Sequence, residues 1–311
     1  MHALAVILDR PERLRLDRLA LAAPGAADAV VAVAWSGIST GTERLLWSGR
    51  MPDFPGMGYP LVPGYESAGW VVEAGPASGR RVGEFVFVPG ARCFGPVRGL
   101  FGGAASHLVV EGARLMPLDE GLGERGILMA LAATAYHALS GSEGGGRHLI
   151  VGHGTLGRLL ARLALLAGAE PVVWERDPAR RAGAHGYAVI DPESDETDYA
   201  RITDVSGDAG LLDALIARLR PGGEIVLAGF YEAPLGFAFP PAFLREARLR
   251  VSAQWRPDDL QAVAALVAGG ALGLDGLITH RRGASEAPGA YATAFGDPDC
   301  LKMVLDWRAC S

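Results

Sequence analysis

Lysine is all but missing from this 311-residue chain. Lys302 is the only one, and arginine makes up the rest of the 29 basic residues. So strong a preference reflects the base composition of a gene rather than a function, but it still has chemical consequences. It leaves little room for a Schiff-base lysine. It also excludes the Tyr-x-x-x-Lys pair of short-chain dehydrogenases, because Pro298 stands four residues before Lys302. Cysteine is scarce too: Cys93, Cys300 and Cys310 are odd in number and widely spaced. That pattern argues against a disulfide framework and for a reducing, cytoplasmic compartment. No block of basic residues occurs and the net charge is −6, which argues against nucleic-acid binding. No apolar run of about 18 residues escapes interruption by charge, so no membrane span is expected. The N-terminal apolar run is broken at Asp9 and Arg10 and is too short for a signal sequence.

What is abundant is apolar side chain, half of all residues, and glycine, 43 of 311. A large core is therefore available, and the glycines suit tight turns better than a helical bundle. At roughly 100–200 residues per domain the length suggests two domains. The first 110 residues read as short strands between Gly, Pro, Asp and Ser: Ala3–Leu8, Ala29–Trp35, Ala68–Glu73, Phe85–Val88 and His107–Val110. This half is β-rich and barrel-like. A Leu/Ala-rich helical run near residues 124–140 leads into alternating strand and helix. That alternation predicts an α/β, doubly wound parallel sheet of the Rossmann type. The acidic stretch Pro192–Asp198 reads as a surface loop.

The sharpest motif is Gly152-His153-Gly154-Thr155-Leu156-Gly157. In a glycine-rich chain the bare G-x-G-x-x-G pattern carries little. Here it follows a buried strand and opens a helix, and a second strand then ends at Glu175. Gly152 allows the turn, Gly154 lets backbone approach a pyrophosphate, and Gly157 lets the helix pack on the sheet. The first N–H groups of the helix, at Thr155 and Leu156, face the phosphate charge. Glu175 would accept hydrogen bonds from the adenosine ribose and repel a 2′-phosphate, which favours NAD over NADP. Arg176 beside it pulls the other way. His153 would contact phosphate or approach the substrate, or contribute only its backbone. Ser206, Gly229 and Phe230 follow strands at their carboxyl ends and are expected on the nicotinamide side.

Three stretches carry a wider resemblance: Ser36–Glu43 (SGISTGTE), Val62–Gly75 (VPGYESAGWVVEAG) and the C-terminal LITHRRGASEAPGAYATAFGDPDCLKMVL. With the order of the two halves, they resemble the medium-chain dehydrogenase/reductase superfamily along the whole chain. The longer strings SGISTGTERLLWSGRMPDFPGMGYPLVPGYES, GFYEAPLGFAFPPAFLREAR and CLKMVLDWR are similar to the bacteriochlorophyllide dehydrogenase family of bacteriochlorophyll biosynthesis. The resemblance implies a β-rich GroES-like catalytic domain, residues 1–140 and 258–311, and a Rossmann dinucleotide-binding domain, residues 141–257. It implies an enzyme that oxidises the 3-(1-hydroxyethyl) group of a chlorophyllide or bacteriochlorophyllide to acetyl, passing hydride to NAD. It further implies a homodimer formed by extending the cofactor-domain sheet. A loose association with the photosynthetic membrane is compatible with such a pigment substrate.

Zinc-bearing members of the superfamily hold the metal with a Cys after Gly-Ile, the His of Gly-His-Glu, and a Cys or acidic residue before Thr-x-Tyr. Ser39, Tyr65 and Ala130 stand in those places here, so a metal-free site is expected. Zinc can lower the pKa of a bound water from about 15.7 to about 7, equivalent to about 12 kcal/mol of oxyanion stabilisation. A single hydroxyl donor or general base is worth about 10²–10⁴-fold in rate. The substrate must then be easier to oxidise than an alkanol, and a carbinol on a tetrapyrrole is, because the ring delocalises positive charge left by the departing hydride. For the proton, the candidates are Ser39, Thr42 and Tyr65, oriented by Glu66, with Glu66 or a water chain taking the proton at the end. The plainer alternatives are turn caps (Ser39, Thr42), a packing aromatic (Tyr65) and an ion-pair partner (Glu66); Glu43 and Arg44 could pair nearby. The Gly/Pro-rich loop Leu45–Pro60 carries Trp47, Phe54, Met57 and Tyr59 as stacking surfaces for a macrocycle. Phe101 is a further candidate, and Arg50 one for the pigment's propionate. Two competing readings are a zinc-free NAD(P)H-dependent quinone or enone reductase and a non-catalytic dinucleotide-binding redox sensor.

Overall fold

The computed structural model describes every residue except Phe54, 142–145 and Ser311. The chain divides into two units, residues 1–130 with 277–311, and residues 131–276.

In the first unit the strands follow the expected alternation and build two sheets over one core. The larger runs His280–Gly283, Met303–Asp306, Asp28–Ile38, Ser67–Ala74, Phe85–Val88, Met116–Pro117, with His107–Glu111 also paired to Asp28–Ile38. The smaller runs Arg13–Ala20, His2–Arg10, Leu61–Val62, Arg98–Gly99. Val30, Val31, Val86, Val88, Leu108 and Leu305 meet in the shared core. Arg13–Ala20 is a strand the apolar reading passes over, because it alternates Arg and Asp with Leu. Its partner strand supplies the buried face, Ala5 to Leu8. Two returning strands, His280–Gly283 and Met303–Asp306, tie the C-terminal segment into the large sheet beside Ile38.

The second unit holds a six-stranded, wholly parallel sheet in the order Ala188–Ile190, Glu170–Trp174, Arg147–Val151, Tyr199–Asp204, Leu219–Leu227, Arg248–Val251. Val151 lies opposite both Trp174 and Asp204, and Asp204 lies opposite Leu227. The carboxyl ends of four strands therefore form one level edge, and the loops that follow them gather there. The helix Thr155–Leu166 buries Leu159, Leu160, Leu163 and Ala164, the face its apolar spacing dictates.

The units differ from the expected boundaries at 140 and 258. The helix Pro257–Ala268 belongs with the sheet unit, where Asp259 bonds His137 Nδ1 at 2.8 Å. Arg162 reaches the carbonyls of Gly273 and Asp275 in the same unit. The helical run near residue 120 begins as 3₁₀ turns, Glu120–Leu128, broken at Gly123, and becomes α-helical over Met129–Leu139. The acidic stretch 192–198 is more than a surface loop. Asp195 is buried and accepts hydrogen bonds from Trp174 Nε1 and Tyr199 Oη, both at 2.7 Å. Among the described residues no helix is long and apolar enough to cross a membrane.

Candidate active site

In the sheet unit the glycine loop has the geometry its pattern requires. Gly152 adopts φ 105° directly after its strand. A Cβ on Gly157 would sit 1.8 Å from the Gly152 carbonyl oxygen, so only glycine lets the helix start this close. The helix opens at Gly154 with no side-chain cap, and a Cβ there would meet open space. The result is an uncapped positive helix end over a bare backbone cradle, which fits the pyrophosphate of a dinucleotide.

Glu175 directly follows strand Glu170–Trp174 and is bonded into the loop. Its Oε2 accepts the His153 N–H at 3.2 Å and its Oε1 the Asp177 N–H at 3.0 Å. Arg176 is exposed and lies 3.6 Å from Asp208. The His153 ring turns away from the cradle and is buried. Nδ1 lies 2.7 Å from the Arg180 carbonyl oxygen and Nε2 2.9 Å from Tyr187 Oη, so the side chain braces the loop from beneath. Burial pushes its pKa down. Ser206 follows Asp204, whose carboxylate accepts the Ser206 N–H at 2.9 Å and the Tyr231 hydroxyl at 2.9 Å. Ser206 backbone runs beside Gly152, and Gly229 packs against Gly207. Phe230, beside Gly229, is exposed.

In the other unit Ser39, at the end of strand Asp28–Ile38, meets Tyr65, two residues before strand Ser67–Ala74. Ser39 Oγ and Tyr65 Oη are 2.7 Å apart. Thr42, first residue of helix Thr42–Ser48, lies close to the Tyr65 hydroxyl. Burial, with the Glu66 charge behind it, raises the Tyr65 pKa well above the ordinary phenol. Tyr65 therefore stays a neutral hydroxyl that can relay a proton but not keep one as a base. The Phe101 ring meets the Tyr65 ring edge-on at 5.4 Å.

Glu66 is fully buried, and both carboxylate oxygens accept from Lys302 Nζ, at 2.9 and 2.7 Å. The ammonium also reaches the Ile38 carbonyl at 3.3 Å. Gly37 leaves room for this pair: a Cβ there would lie 2.3 Å from Glu66 Oε2. Glu66 is thus committed to an ion pair, and the lone lysine, noted above only for what it excludes, lies at the heart of the unit. Glu43 does not pair with Arg44. It is buried, and accepts the Ser39 N–H at 3.0 Å and the Tyr291 hydroxyl at 2.8 Å. Its pKa is raised to about 7, first by burial. Neither Glu43 nor Lys302 stood among the candidates read from sequence.

The proposed macrocycle contacts are spread more widely. Trp47, Met57, Tyr59 and Phe101 pack on buried Leu8, Leu46, Leu61 and Leu100. Tyr59 donates its hydroxyl to the Leu46 carbonyl, and Arg50 Nε donates to Ser48 Oγ at 3.2 Å. Phe54 lies outside the described residues. Of the described ones, Phe101 is joined to the hydroxyl cluster, through its contact with Tyr65.

Residues 25–120 match the Alcohol dehydrogenase GroES-like domain family. The chain is 59% identical, over 99% of its length and 99% of the relative's, to 2-desacetyl-2-hydroxyethyl bacteriochlorophyllide A dehydrogenase of Rhodobacter capsulatus. It is 58% identical, at the same coverage, to the protein of that name from Cereibacter sphaeroides. The chain belongs to the bacteriochlorophyllide dehydrogenases of the medium-chain superfamily. A solved Escherichia coli alcohol dehydrogenase complexed with NADH shares the fold at TM-score 0.84 and 20% identity, over 98% of this chain and 99% of that one.

The superfamily's zinc does not fit this member. Catalytic zinc takes about three ligands from Cys, His, Asp or Glu. Its three places hold two hydroxyls bonded to each other and the methyl of Ala130. Among the described residues no three such ligand side chains come together. The positive charge in this core comes instead from Lys302. Lys302→Met would strand the Glu66 carboxylate and is predicted to destabilise the protein by about 3–5 kcal/mol in urea unfolding. Adding Glu66→Gln should recover part of that loss; a single-variant loss below about 1 kcal/mol would contradict the prediction.

Proposed function

We propose that this dehydrogenase oxidises the 3-(1-hydroxyethyl) group of a chlorophyllide or bacteriochlorophyllide to acetyl, with NAD as hydride acceptor and no metal. The observation that carries the reading is the 59% identity over 99% of both chains to a dehydrogenase named for that hydroxyethyl pigment. When bound, the nicotinamide supplies an acceptor for the carbinol hydride. The chain's residues deal with what remains. The glycine loop and uncapped helix end hold the dinucleotide phosphates. The Ser39–Tyr65 hydroxyl pair relays the carbinol proton as the C=O bond forms: each hydroxyl accepts one proton and gives up its own, the last passing to water, because a Tyr with so high a pKa does not release its proton without receiving another. Phe101, seated against Tyr65, offers a ring face to the flat substrate.

Incubation with NAD and the 3-hydroxyethyl pigment should shift its long-wavelength absorption band as acetyl forms. Tyr65→Phe should cut kcat about 10²–10⁴-fold. No pigment turnover beside brisk quinone reduction with NADPH would favour a reductase instead, and a Tyr65→Phe loss within about twofold would remove Tyr65 from the relay.

For the cofactor, Glu175 supports NAD, since a 2′-phosphate would be brought against its carboxylate. Titration calorimetry should give NAD a Kd at least about tenfold below that of NADP, and Glu175→Gln should narrow the gap. Equal affinities in the unaltered protein would mean that Arg176 offsets Glu175, and would overturn the NAD assignment.

For the assembly, strand Arg248–Val251 is the edge of the parallel sheet, and around it Phe239, Phe243, Leu244 and Val251 are each at least 65% exposed. Phe237, Ala242, Phe243, Ala247 and Leu249 line a groove of about 440 Å³ there. An apolar edge of this kind supports a second copy of the chain as its cover. Sedimentation should find a dimer, and Val251→Lys should shift it to monomer. A monomer at micromolar concentration before substitution would end this reading.

A further inference from the structure

Among the described residues, the Ser39–Tyr65 site contains two buried carboxylates, Glu43 and Glu66, but one cation. Lys302 gives its hydrogen bonds to both oxygens of Glu66 and to the Ile38 carbonyl, and is thereby fully engaged. Glu43 has only neutral donors, the Ser39 N–H on Oε1 and the Tyr291 hydroxyl on Oε2. An uncompensated carboxylate in a dry core is costly, and a proton is the cheapest remedy. The groups facing Glu43 bear this out. Tyr291, from helix Ala287–Gly296, is neutral. Glu66, in the segment before strand Ser67–Ala74, is negative and raises the Glu43 pKa. Lys302, at the foot of strand Met303–Asp306, is positive and lowers it, and Tyr65 is neutral. Arg44, next to Glu43 on its own helix, is exposed.

The charge state matters because of what Glu43 holds. Its Oε1 fixes the backbone of the residue whose Oγ lies 2.7 Å from Tyr65 Oη. As a carboxylate, Glu43 accepts from both Ser39 N–H and Tyr291. Once protonated, the carboxyl carries an O–H that must displace the Ser39 N–H from Oε1 or reverse the Tyr291 hydroxyl on Oε2, and the bond to the other oxygen loses its charge assistance. Resting on the dehydrogenase reading above, we infer that Glu43 is a positioning residue: its carboxylate form holds the Ser39–Tyr65 hydroxyl pair in the arrangement that accepts the substrate proton. Protonation loosens that arrangement, so turnover falls as pH drops through the Glu43 pKa and is sustained above it.

The test is the pH profile of kcat from about pH 5.5 to about pH 8.5, run beside infrared difference titration of the same proteins. In the unaltered enzyme kcat should follow the carboxylate fraction, and the protonated-carboxyl band should vanish over the same interval. Glu43→Gln should remove both the acid limb and the band, and lower kcat on the plateau. Tyr291→Phe, which takes one donor from the carboxylate, should move limb and band together to higher pH. It also serves as the second variant should Glu43→Gln fold poorly. An acid limb that persists in Glu43→Gln, or that stays put in Tyr291→Phe while the band moves, overturns the inference. A carboxyl that remains in one state throughout overturns it whatever the assay shows. Absence of pigment turnover by the unaltered protein at every pH would instead sink the dehydrogenase reading, leaving the infrared arm to show whether Glu43 titrates and responds to Tyr291.

Discussion

One ammonium group, Lys302 Nζ, shared between the two oxygens of Glu66 and the carbonyl of Ile38, is the contact on which the GroES-like unit turns. It ties the end of one central strand, the segment entering the next, and the foot of the returning strand that lies antiparallel to the first. Two ions removed from water gain little net stability from each other, but losing either partner leaves a bare charge in the core. The pair therefore acts as a constraint on where strands can meet. Tyr65 precedes Glu66 and Ser39 follows Ile38, so the constraint sets the two hydroxyls face to face. In a chain that uses arginine everywhere else, lysine at this place fits a steric demand. A compact ammonium on a flexible stem enters a space bounded by Gly37 and a buried carboxylate, where a planar five-donor guanidinium would need more acceptors than are present.

The same accounting explains why two neighbouring glutamates differ. Glu66 has a cation and Glu43 has hydroxyl and amide donors, so burial acts on Glu43 with less opposition and carries its pKa to about 7. Glu66 is one half of a fixed ion pair, while Glu43 has no cation of its own to hold its charge. Divalent zinc would have served both ends at once, as an anchor for its ligands and as a sink for developing negative charge. Here the anchor is Lys302, and on the function proposed above the proton path is left to two hydroxyls, one of them on a residue whose backbone Glu43 holds.

The parallel sheet and its glycine turn were legible in the sequence because their determinants are local. Gly152, by its positive φ, and Gly157, by its contact with the Gly152 carbonyl, are demanded by backbone geometry within six residues, whereas a Cβ on Gly154 would meet open space; the alternation of strand and helix around them is a pattern of short period. The hydroxyl pair was legible through the motifs that flank Ser39 and Tyr65, though not its 2.7 Å closeness. What escaped was the charge pairing. Lys302 joins Glu66 across 236 positions, and Tyr291 joins Glu43 across 248. No periodicity reports contacts of that range, so the lysine read as a compositional remnant and Glu43 as a partner for Arg44. The acidic stretch at 192–198 misled for a related reason: five of its neighbours are polar, and nothing nearby announces that Asp195 turns inward to Trp174 and Tyr199.

The missing metal thus constrains the substrate as much as the protein. Hydroxyls arranged by one ion pair and one protonatable carboxyl can move a proton, but they cannot stabilise an alkoxide by the roughly 12 kcal/mol that bound zinc gives its water. The difference has to reside in the carbinol itself. An alcohol on a conjugated macrocycle spreads the charge left by the departing hydride over the ring, and the oxyanion need never develop fully before the carbonyl forms. A plain alkanol offers no such path. On this argument a site built from Ser39, Tyr65, Glu43 and the Glu66–Lys302 pair selects its substrate by electronic character before any side chain in the loop at Leu45–Pro60 selects it by shape.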